Sequence, residues 1–564
     1  MDNSGFAFGS DEKDALSNDM ASTLNECFSR LVAKYSDEDY VVQGMRRLTY
    51  AEVDCQARGF ARTLKEHGLS KGSRVGLMTG NVPEYLVALQ GCFKMGAIAV
   101  PLNERAAKHE ISAHLANTAC EALVISRKVA EKAHAILSAA DDCSVRLVVV
   151  AEDGKRTDLD LDDCVIGRLA SASLGRGSEP SGESGALAEA EWADCVASGN
   201  LVAFDEKVLP DDVALLQYTG GTTGTPKAVV LTHRNLVSTA FMMRAWAEPV
   251  IGGRWLRCLL TQPLYHVMGL VNSANLCLAR GGTCVLPTSP RPEEILDAIR
   301  CWRPTYFAAV PTLLVKLEEH DVHRSLALAS LELVVVGGSP VPEHVRERFE
   351  NAFHMRIMQG YGMSEAPVIA MESCVVSADG RRGLMPLPGV QVRVVQCGNH
   401  GCEVPQGEAG ELLVKGPTVG VGYWRGPDVR MAFGDGEWLA TGDIVRWAPD
   451  GSLYIVGRNK DVIVSSGFNV YPREIDEVLF SHPAVREVCT IGVSHPERVE
   501  VAKSFVALCP GAACTAAELM DYCRQNLTAY KVPTEIAIID QLPRTSAGKP
   551  DRIALRKQEG KLCR

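Results

Sequence analysis

Short runs of branched apolar residues recur along most of this chain, and each is followed by apolar residues at helical spacing. Arg74-Val75-Gly76-Leu77-Met78 reads as a buried strand, and residues 82–95 as the helix returning from it. Residues 97–102, 122–125 and 146–150 continue the pattern, and residues 283–286, 306–310 and 333–336 resume it further on. Strands of this kind alternating with amphipathic helices predict a parallel sheet with crossover helices. Ahead of them, residues 24–35 and 50–67 carry helical periodicity around a short strand candidate, Tyr40-Val41-Val42. From Val390 the texture turns to short β-rich segments: 390–395, 410–414 and 452–456. Gly457-Arg458-Asn459-Lys460 marks a boundary, beyond which a smaller α+β unit is expected. A chain of 564 residues is too long for one compact core. The expected class is therefore α/β, divided into a polar leader (1–22), a large N-terminal domain (23–457) and a small C-terminal domain (458–564). The large domain is expected to hold mixed and parallel sheets, flanking helices and a β-rich subdomain.

Composition narrows the function classes. A net charge of −11 argues against a general nucleic-acid binder, which is usually basic. The 19 cysteines are scattered without a Cys-x-x-Cys pair, as expected of reduced thiols in an intracellular protein. Cys397-Gly398-Asn399-His400-Gly401-Cys402 lacks a fourth metal ligand at suitable spacing and reads as a loop. The first 20 residues have neither the basic start nor the apolar core of a signal peptide. No apolar run is long enough to span a bilayer. A cytoplasmic protein is expected, with peripheral membrane contact and the oligomeric state left open. Residues 151–200 are acidic and rich in glycine and serine, and read as an exposed, partly disordered insertion.

One stretch stands out chemically: Tyr218-Thr219-Gly220-Gly221-Thr222-Thr223-Gly224-Thr225-Pro226-Lys227, directly after an apolar run. Glycines let backbone N–H groups approach phosphate oxygens without a Cβ in the way. Consecutive N–H groups in such a turn make a concave anion site. The threonines add hydroxyl donors and Lys227 a positive charge. The Walker A spacing is absent. A solvated turn of the same composition is the lesser reading of the loop by itself.

Five further stretches have the composition of site loops. Gln359-Gly360-Tyr361-Gly362-Met363-Ser364-Glu365 offers glycines, a ring, a hydroxyl and a carboxylate; a divalent cation would link that carboxylate to a phosphate loop. Thr441-Gly442-Asp443 presents an acid suited to ribose hydroxyls, and Gly457-Arg458 a guanidinium. Pro263-Leu264-Tyr265-His266 puts a histidine after an apolar turn. Pro543-Arg544-Thr545-Ser546-Ala547-Gly548-Lys549 puts a lysine near the C-terminus. Each has an ordinary structural reading: His266 a structural histidine, Glu365 a helix-start carboxylate, Asp443 a turn residue, Lys549 a surface lysine.

In this order, however, the motifs resemble those of the adenylate-forming superfamily of acyl-CoA synthetases, luciferases and peptide-synthetase adenylation domains. The resemblance runs from about Thr23 to the end, excepting the acidic insertion. Leu216 to Gly224, Val464-Ser465-Ser466-Gly467-Phe468-Asn469-Val470-Tyr471-Pro472 and Leu527-Thr528-Ala529-Tyr530-Lys531-Val532-Pro533 look most like bacterial fatty-acid–CoA ligases.

The resemblance implies two half-reactions. A carboxylic acid attacks the α-phosphate of ATP, and coenzyme A then displaces AMP from the acyl-adenylate. It implies catalytic roles for Lys549, Glu365, Thr219 and His266, with Glu365 holding Mg²⁺. Thr219, Gly220, Gly221, Thr222, Thr223, Gly224 and Lys227 would hold phosphates, and Gly360, Tyr361, Gly362, Ser364, Asp443 and Arg458 the rest of the nucleotide. His266, Val310, Gly337 and Gly338 would line an acyl pocket. The C-terminal domain would be mobile and swing about Lys460, bringing Ser465, Ser466, Gly467 and Phe468 up for the thioester step. Ala228 and Ala529 stand where relatives carry glycine, which touches fine geometry rather than reaction class. The pocket segments are apolar, small and without an inward charge, which fits a fatty or aryl acid. An aryl-CoA ligase, a carrier-protein-loading enzyme and an inactive nucleotide-binding protein are the competing readings.

Overall fold

The structure is a computed structural model. It describes residues 22–139, 144–151, 187–197, 199, 206–219, 227–321, 330–338, 341, 343–353, 355–372, 382–424, 430–431, 438–465, 468–496, 498–544 and 550–562. The chain falls into two compact units, residues 54–206 and residues 1–53 with 207–564.

The smaller unit is a parallel sheet in the order Ile98–Pro101, Arg74–Met78, Ala122–Ser126, Leu147–Ala151, Ala188–Glu191. Its central strands are buried along their whole length, as their unbroken apolar runs require. The helix Pro83–Met95 starts on a proline and stops at Gly96, whose φ of 67° closes it in the left-handed region. Part of the expected insertion is corrected here. Ala188–Glu191 adds an outer strand to this sheet, and Trp192 in the following helix Trp192–Val196 packs against Phe60 with ring centroids 5.5 Å apart. Its glutamates looked like solvated charge because they are edge-strand residues facing basic partners: Glu191 pairs with Arg127 at 2.7 Å and Glu189 with His134 at 3.1 Å. Residues 152–186 lie outside the described residues.

In the larger unit the described residues form a fourteen-stranded sheet. One half is parallel, in the order Ile357–Met363, Leu333–Val336, Tyr306–Ala309, Leu256–Leu259, Gly282–Leu286, Asp39–Gln43. Beyond Ile357–Met363 the pairing turns antiparallel, through Ala366–Glu372, Leu384–Pro386, Leu453–Arg458, Leu439–Trp447 and Ala409–Lys415. The change from alternating α/β to β-rich sequence near Val390 thus happens inside one continuous sheet. The hairpin Val213–Tyr218 and Ala228–Thr232 brackets the glycine–threonine stretch, and Gly422–Trp424 pairs with its second strand. Thr232 caps the helix His233–Ile251, accepting from the Asn235 N–H. The last part of the chain is a small mixed sheet of Ile463–Ser465, Phe468–Val470, Val485–His495, Val499–Leu508 and Glu535–Ile538. The helices Pro472–Phe480 and Ala516–Asn526 pack on it over a core that includes Ile475, Leu479, Val506 and Leu519. The Cys397–Cys402 stretch is a β-hairpin and not a loop: Val395 to Glu403 and Gln396 to Asn399 are cross-strand partners. No described helix is long and apolar enough to cross a membrane.

Candidate functional site

Most of the motifs expected to be loops turn out to be strands. Gly360 to Met363 belong to Ile357–Met363, Thr441-Gly442-Asp443 to Leu439–Trp447, and Gly457-Arg458 to Leu453–Arg458. Their glycines and polar residues disguise them, because strands are recognised by branched and aromatic side chains and glycine and aspartate are depleted in them. Gly362 shows why a glycine stands there: a Cβ would lie 2.2 Å from the Pro367 carbonyl oxygen of the facing strand. Only Ser364 and Glu365 form the turn that joins this strand to Ala366–Glu372.

Sheet order puts two charged groups along that hairpin, one at its turn and one within its first strand. At the turn, the buried Glu365 carboxylate accepts a hydrogen bond from Tyr423 Oη at 2.7 Å. The Lys227 ammonium lies 4.9 Å from the centre of the Tyr423 ring, a cation–π distance. Tyr423 reaches both because it is the cross-strand partner of Val229, two residues beyond Lys227. The Gly420 N–H also donates to the Glu365 carbonyl at 2.8 Å, holding the turn against this strand. Burial and the adjacent Glu365 carboxylate push the Tyr423 phenol well above its ordinary pKa, so it stays a donor. The Thr219 N–H donates to the Lys227 carbonyl at 3.1 Å and closes the base of the glycine–threonine stretch. Gly220, Gly221, Thr222, Thr223 and Gly224 themselves lie outside the described residues.

Within the strand, Tyr361 Oη donates to Asp443 Oδ2 at 2.6 Å, and Arg458 Nε meets Asp443 Oδ1 at 3.1 Å. Asp443 and Arg458 are cross-strand partners, so their pairing follows from register. Burial, then the charge of Asp443, raises the Tyr361 phenol well above its usual pKa. Asp443 is buried while Arg458 is exposed, which turns the polar face of the pair outward.

The remaining predicted residues gather where the parallel strands end, the usual place for ligands in such sheets. Val310 follows Tyr306–Ala309, and Gly337 and Gly338 follow Leu333–Val336. A methyl group built on Gly337 would lie 3.4 Å from both Met268 Cε and the Gly360 carbonyl oxygen, and one on Gly338 3.7 Å from Val310 Cγ1. His266 opens the short helix Val267–Gly269, ahead of a π-helical turn, Leu270–Ala274. Gln217 Nε2 donates to the Tyr265 carbonyl at 2.8 Å and ties this segment to the Val213–Tyr218 hairpin strand.

Lys460 is exposed in the turn Asn459–Asp461, between the large sheet and the small one. Ser465 and Phe468 are cross-strand partners on the small sheet, where the Phe468 ring stacks on Tyr530 at 4.7 Å. Among the described residues, no hydrogen bond or ion pair joins them to either charged group. Ser466, Gly467 and Lys549 lie outside the described residues; Arg544 and Pro550 bridge on either side of the lysine. Sequence reasoning missed Tyr423. Its Gly422-Tyr423-Trp424 run looks like any short β segment, and only pairing to Ala228–Thr232 brings it to Glu365.

Comparison with known proteins gives the family. The family model described as AMP-binding enzyme matches residues 28–424, and that of its C-terminal domain matches residues 474–549. A long-chain-fatty-acid–CoA ligase of Escherichia coli O6:H1 is 32% identical over 546 residues, covering 96% of this chain and 95% of the relative. A feruloyl-CoA synthase of Amycolatopsis sp. is 31% identical, covering 92% and 96%. Among solved structures, ATP-bound MatB from Rhodopseudomonas palustris superposes with a TM-score of 0.80 at 26% identity, covering 96% of this chain and all of that one. The chain belongs to the AMP-binding enzyme family.

Proposed function

We propose that this protein is an AMP-forming acid–thiol ligase. It would convert a medium- or long-chain fatty acid to an acyl-adenylate with release of pyrophosphate, and then to acyl-CoA with release of AMP. The observation that carries this reading is the meeting of Lys227 and Glu365 across the Tyr423 ring, beside the base of the glycine–threonine stretch. Adenylation brings a carboxylate up to a polyphosphate, so the site must neutralise negative charge at the α-phosphate. Lys227 and the backbone donors from Thr219 onward hold the β- and γ-phosphates. Asp443 takes the ribose hydroxyls with Arg458, while Tyr361 sets the orientation of Asp443 and packs on the adenine. Ser364 contacts the α-phosphate region. Lys549 bridges the attacking carboxylate and the α-phosphate. The acid lies among His266, Met268, Val310, Gly337 and Gly338.

The donor set suits a magnesium ion. Glu365 presents a hard, buried carboxylate whose Oε1 is held by Tyr423, while Oε2 has no hydrogen bond among the described residues. Bound there, the ion would supply charge neutralisation at the phosphates; Glu365 would hold it and Tyr423 would keep that carboxylate in place.

For the second half-reaction, the domain from Arg458 onward turns about Lys460, withdrawing Lys549 and presenting Ser465, Ser466, Gly467 and Phe468 to coenzyme A. The ion pair of Asp461 with Arg556, at 3.1 Å, makes the segment just after Lys460 move with the last helix, Arg552–Leu562. An aryl acid is the second reading, favoured by the feruloyl-CoA synthase relative.

Pyrophosphate release with ATP, Mg²⁺ and a panel of acids from acetate through hexadecanoate to cinnamates, with and without coenzyme A, tests the proposal. CoA-dependent thioesters of the longer fatty acids are expected. Adenylate that accumulates without thioester would move the protein to carrier loading. The Tyr423→Phe variant keeps the ring under Lys227 and loses the hydrogen bond to Glu365. Its rate of pyrophosphate release at limiting Mg²⁺ is expected to fall about fivefold to tenfold, with most of the loss recovered at high Mg²⁺. An unchanged Mg²⁺ dependence would remove Tyr423 from this role.

A further inference from the structure

The strand Ile357–Met363 carries Gly360 and Tyr361 and leads into Glu365, yet on one edge its first residues have no backbone partner among the described residues. Successive residues of a strand direct their backbone groups to alternate edges, so Ile357, Gln359 and Tyr361 face the same neighbour. That neighbour, Ala366–Glu372, pairs Met371 with Gly360 and Ala370 with Tyr361. One step further, where Gln359 comes opposite Glu372, the backbone pairing among the described residues stops. The Glu372 carbonyl is taken instead by Trp246 Nε1 at 3.2 Å.

Side chains continue the ladder from there. Glu372 Oε2 accepts from the Gln359 N–H at 3.0 Å. Arg346 Nη1 donates to the Ile357 carbonyl at 2.8 Å. The same two side chains form a bidentate pair with each other, at 2.7 and 2.9 Å, and both are buried. The Ile357 N–H goes to Glu350 Oε1 at 2.8 Å, and Glu350 is in turn held by Arg382 at 2.7 and 3.1 Å. Two carboxylate–guanidinium pairs thus take the Ile357 N–H and carbonyl and the Gln359 N–H, groups that in a sheet pair with a neighbouring strand. A buried ion pair is a poor way to gain stability, because desolvation offsets its attraction and an apolar pair of similar volume does as well or better. What it does provide is two donors and acceptors at fixed positions for the backbone it grips.

We propose that Arg346 and Glu372 are positioning residues for the nucleotide. Through Ile357 and Gln359 they set the height and tilt of the strand, so that Tyr361 reaches Asp443 and the Glu365 turn reaches Tyr423. This inference rests on the proposed function, and it predicts an effect on ATP that the acid does not share.

The test uses the full-length protein as Glu372→Gln, as Arg346→Lys, and as the double variant Arg346→Met/Glu372→Leu, which replaces the pair with apolar side chains. ATP affinity is measured by calorimetry with Mg²⁺ present, beside KM for ATP, KM for the acid, the thermal midpoint, and thioester formation from supplied acyl-adenylate. The ATP dissociation constant and KM for ATP are expected to rise about tenfold in Glu372→Gln and in the double variant. KM for the acid stays unchanged, and the thioester step keeps its rate at saturating acyl-adenylate, whereas its KM for the adenylate, which carries the same adenosine, rises with that for ATP. In the double variant the ATP defect persists although the thermal midpoint returns to the wild-type value. Arg346→Lys keeps the charge and one donor and shows a smaller rise. Wild-type ATP affinity in a folded double variant, or an equal loss toward acid and ATP, overturns the proposal. If Glu372→Gln and the double variant both fail to fold, Arg346→Lys decides, and wild-type ATP affinity in it is the overturning result. A wild-type protein that binds ATP but releases no pyrophosphate would defeat the proposed function, while the calorimetry would still judge the ladder.

Discussion

Lys549→Ala is expected to lower acid-dependent pyrophosphate release by about 10³-fold while leaving ATP affinity nearly unchanged. The step it serves joins two anions, a carboxylate and the α-phosphate, and charge builds on the oxygens between them as the bond forms. A cation that bridges both groups only in the transition state lowers that barrier without tightening ground-state binding. The structure adds a geometric reason for the selectivity. Lys549 lies in the short stretch between Arg544 and Pro550 on the small C-terminal domain, whereas Tyr361, Asp443, Lys227 and Glu365 are all placed by other elements. Removing the lysine therefore leaves those groups in place. Thioester formation from chemically supplied acyl-adenylate is expected at the wild-type rate, because in the proposed mechanism that half-reaction uses the small domain turned the other way. Single-turnover assays of the two half-reactions separate the cases: equal loss in both would mean that the substitution damages the domain rather than the chemistry.

Glu365→Gln comes second, with an expected fall of about 10²-fold in pyrophosphate release and a shift of the half-saturating Mg²⁺ to higher concentration. Glutamine has nearly the shape of glutamate and retains an oxygen that can accept from Tyr423 Oη, so the turn and its neighbours should hold. What disappears is one negative charge at a buried position that the Tyr423 side chain links to the Lys227 ammonium. A carboxylate is a strong ligand for a small hard cation and an amide oxygen a weak one. The measurement is a magnesium titration of the initial rate, beside the thermal midpoint. A variant with normal Mg²⁺ dependence and lowered stability would assign the Glu365 side chain to structure alone, as the acceptor that anchors Tyr423 to the turn.

Much of this molecule is legible in one dimension. The parallel strands Arg74–Met78, Ala122–Ser126, Leu147–Ala151, Tyr306–Ala309 and Leu333–Val336 announce themselves because both faces are covered and the apolar run is unbroken. Thr232 as a helix cap and Pro83 as a helix start are equally local, since a cap is made with residues only a turn away. The site strands were harder. Gln359 to Glu365 reads as a loop because Gly360, Gly362 and Ser364 break the apolar pattern, and the strand survives there only because Leu333–Val336 and Ala366–Glu372 flank it. Ala188–Glu191 reads as solvated acid because nothing in its own four residues says that a sheet edge lies beside it.

The sequence by itself determined the order of the motifs, the chemical types available to a nucleotide and an acid, and the family that this order belongs to. It did so because each motif is a short run whose residues act within a few positions of one another. The tertiary structure alone decided which groups meet. Tyr423 reaches Glu365 across 58 residues, Tyr361 reaches Asp443 across 82, and Arg346 closes on Glu372 across 26. Those contacts depend on strand order and register, which a sum over the whole sheet selects, so no local pattern could encode them.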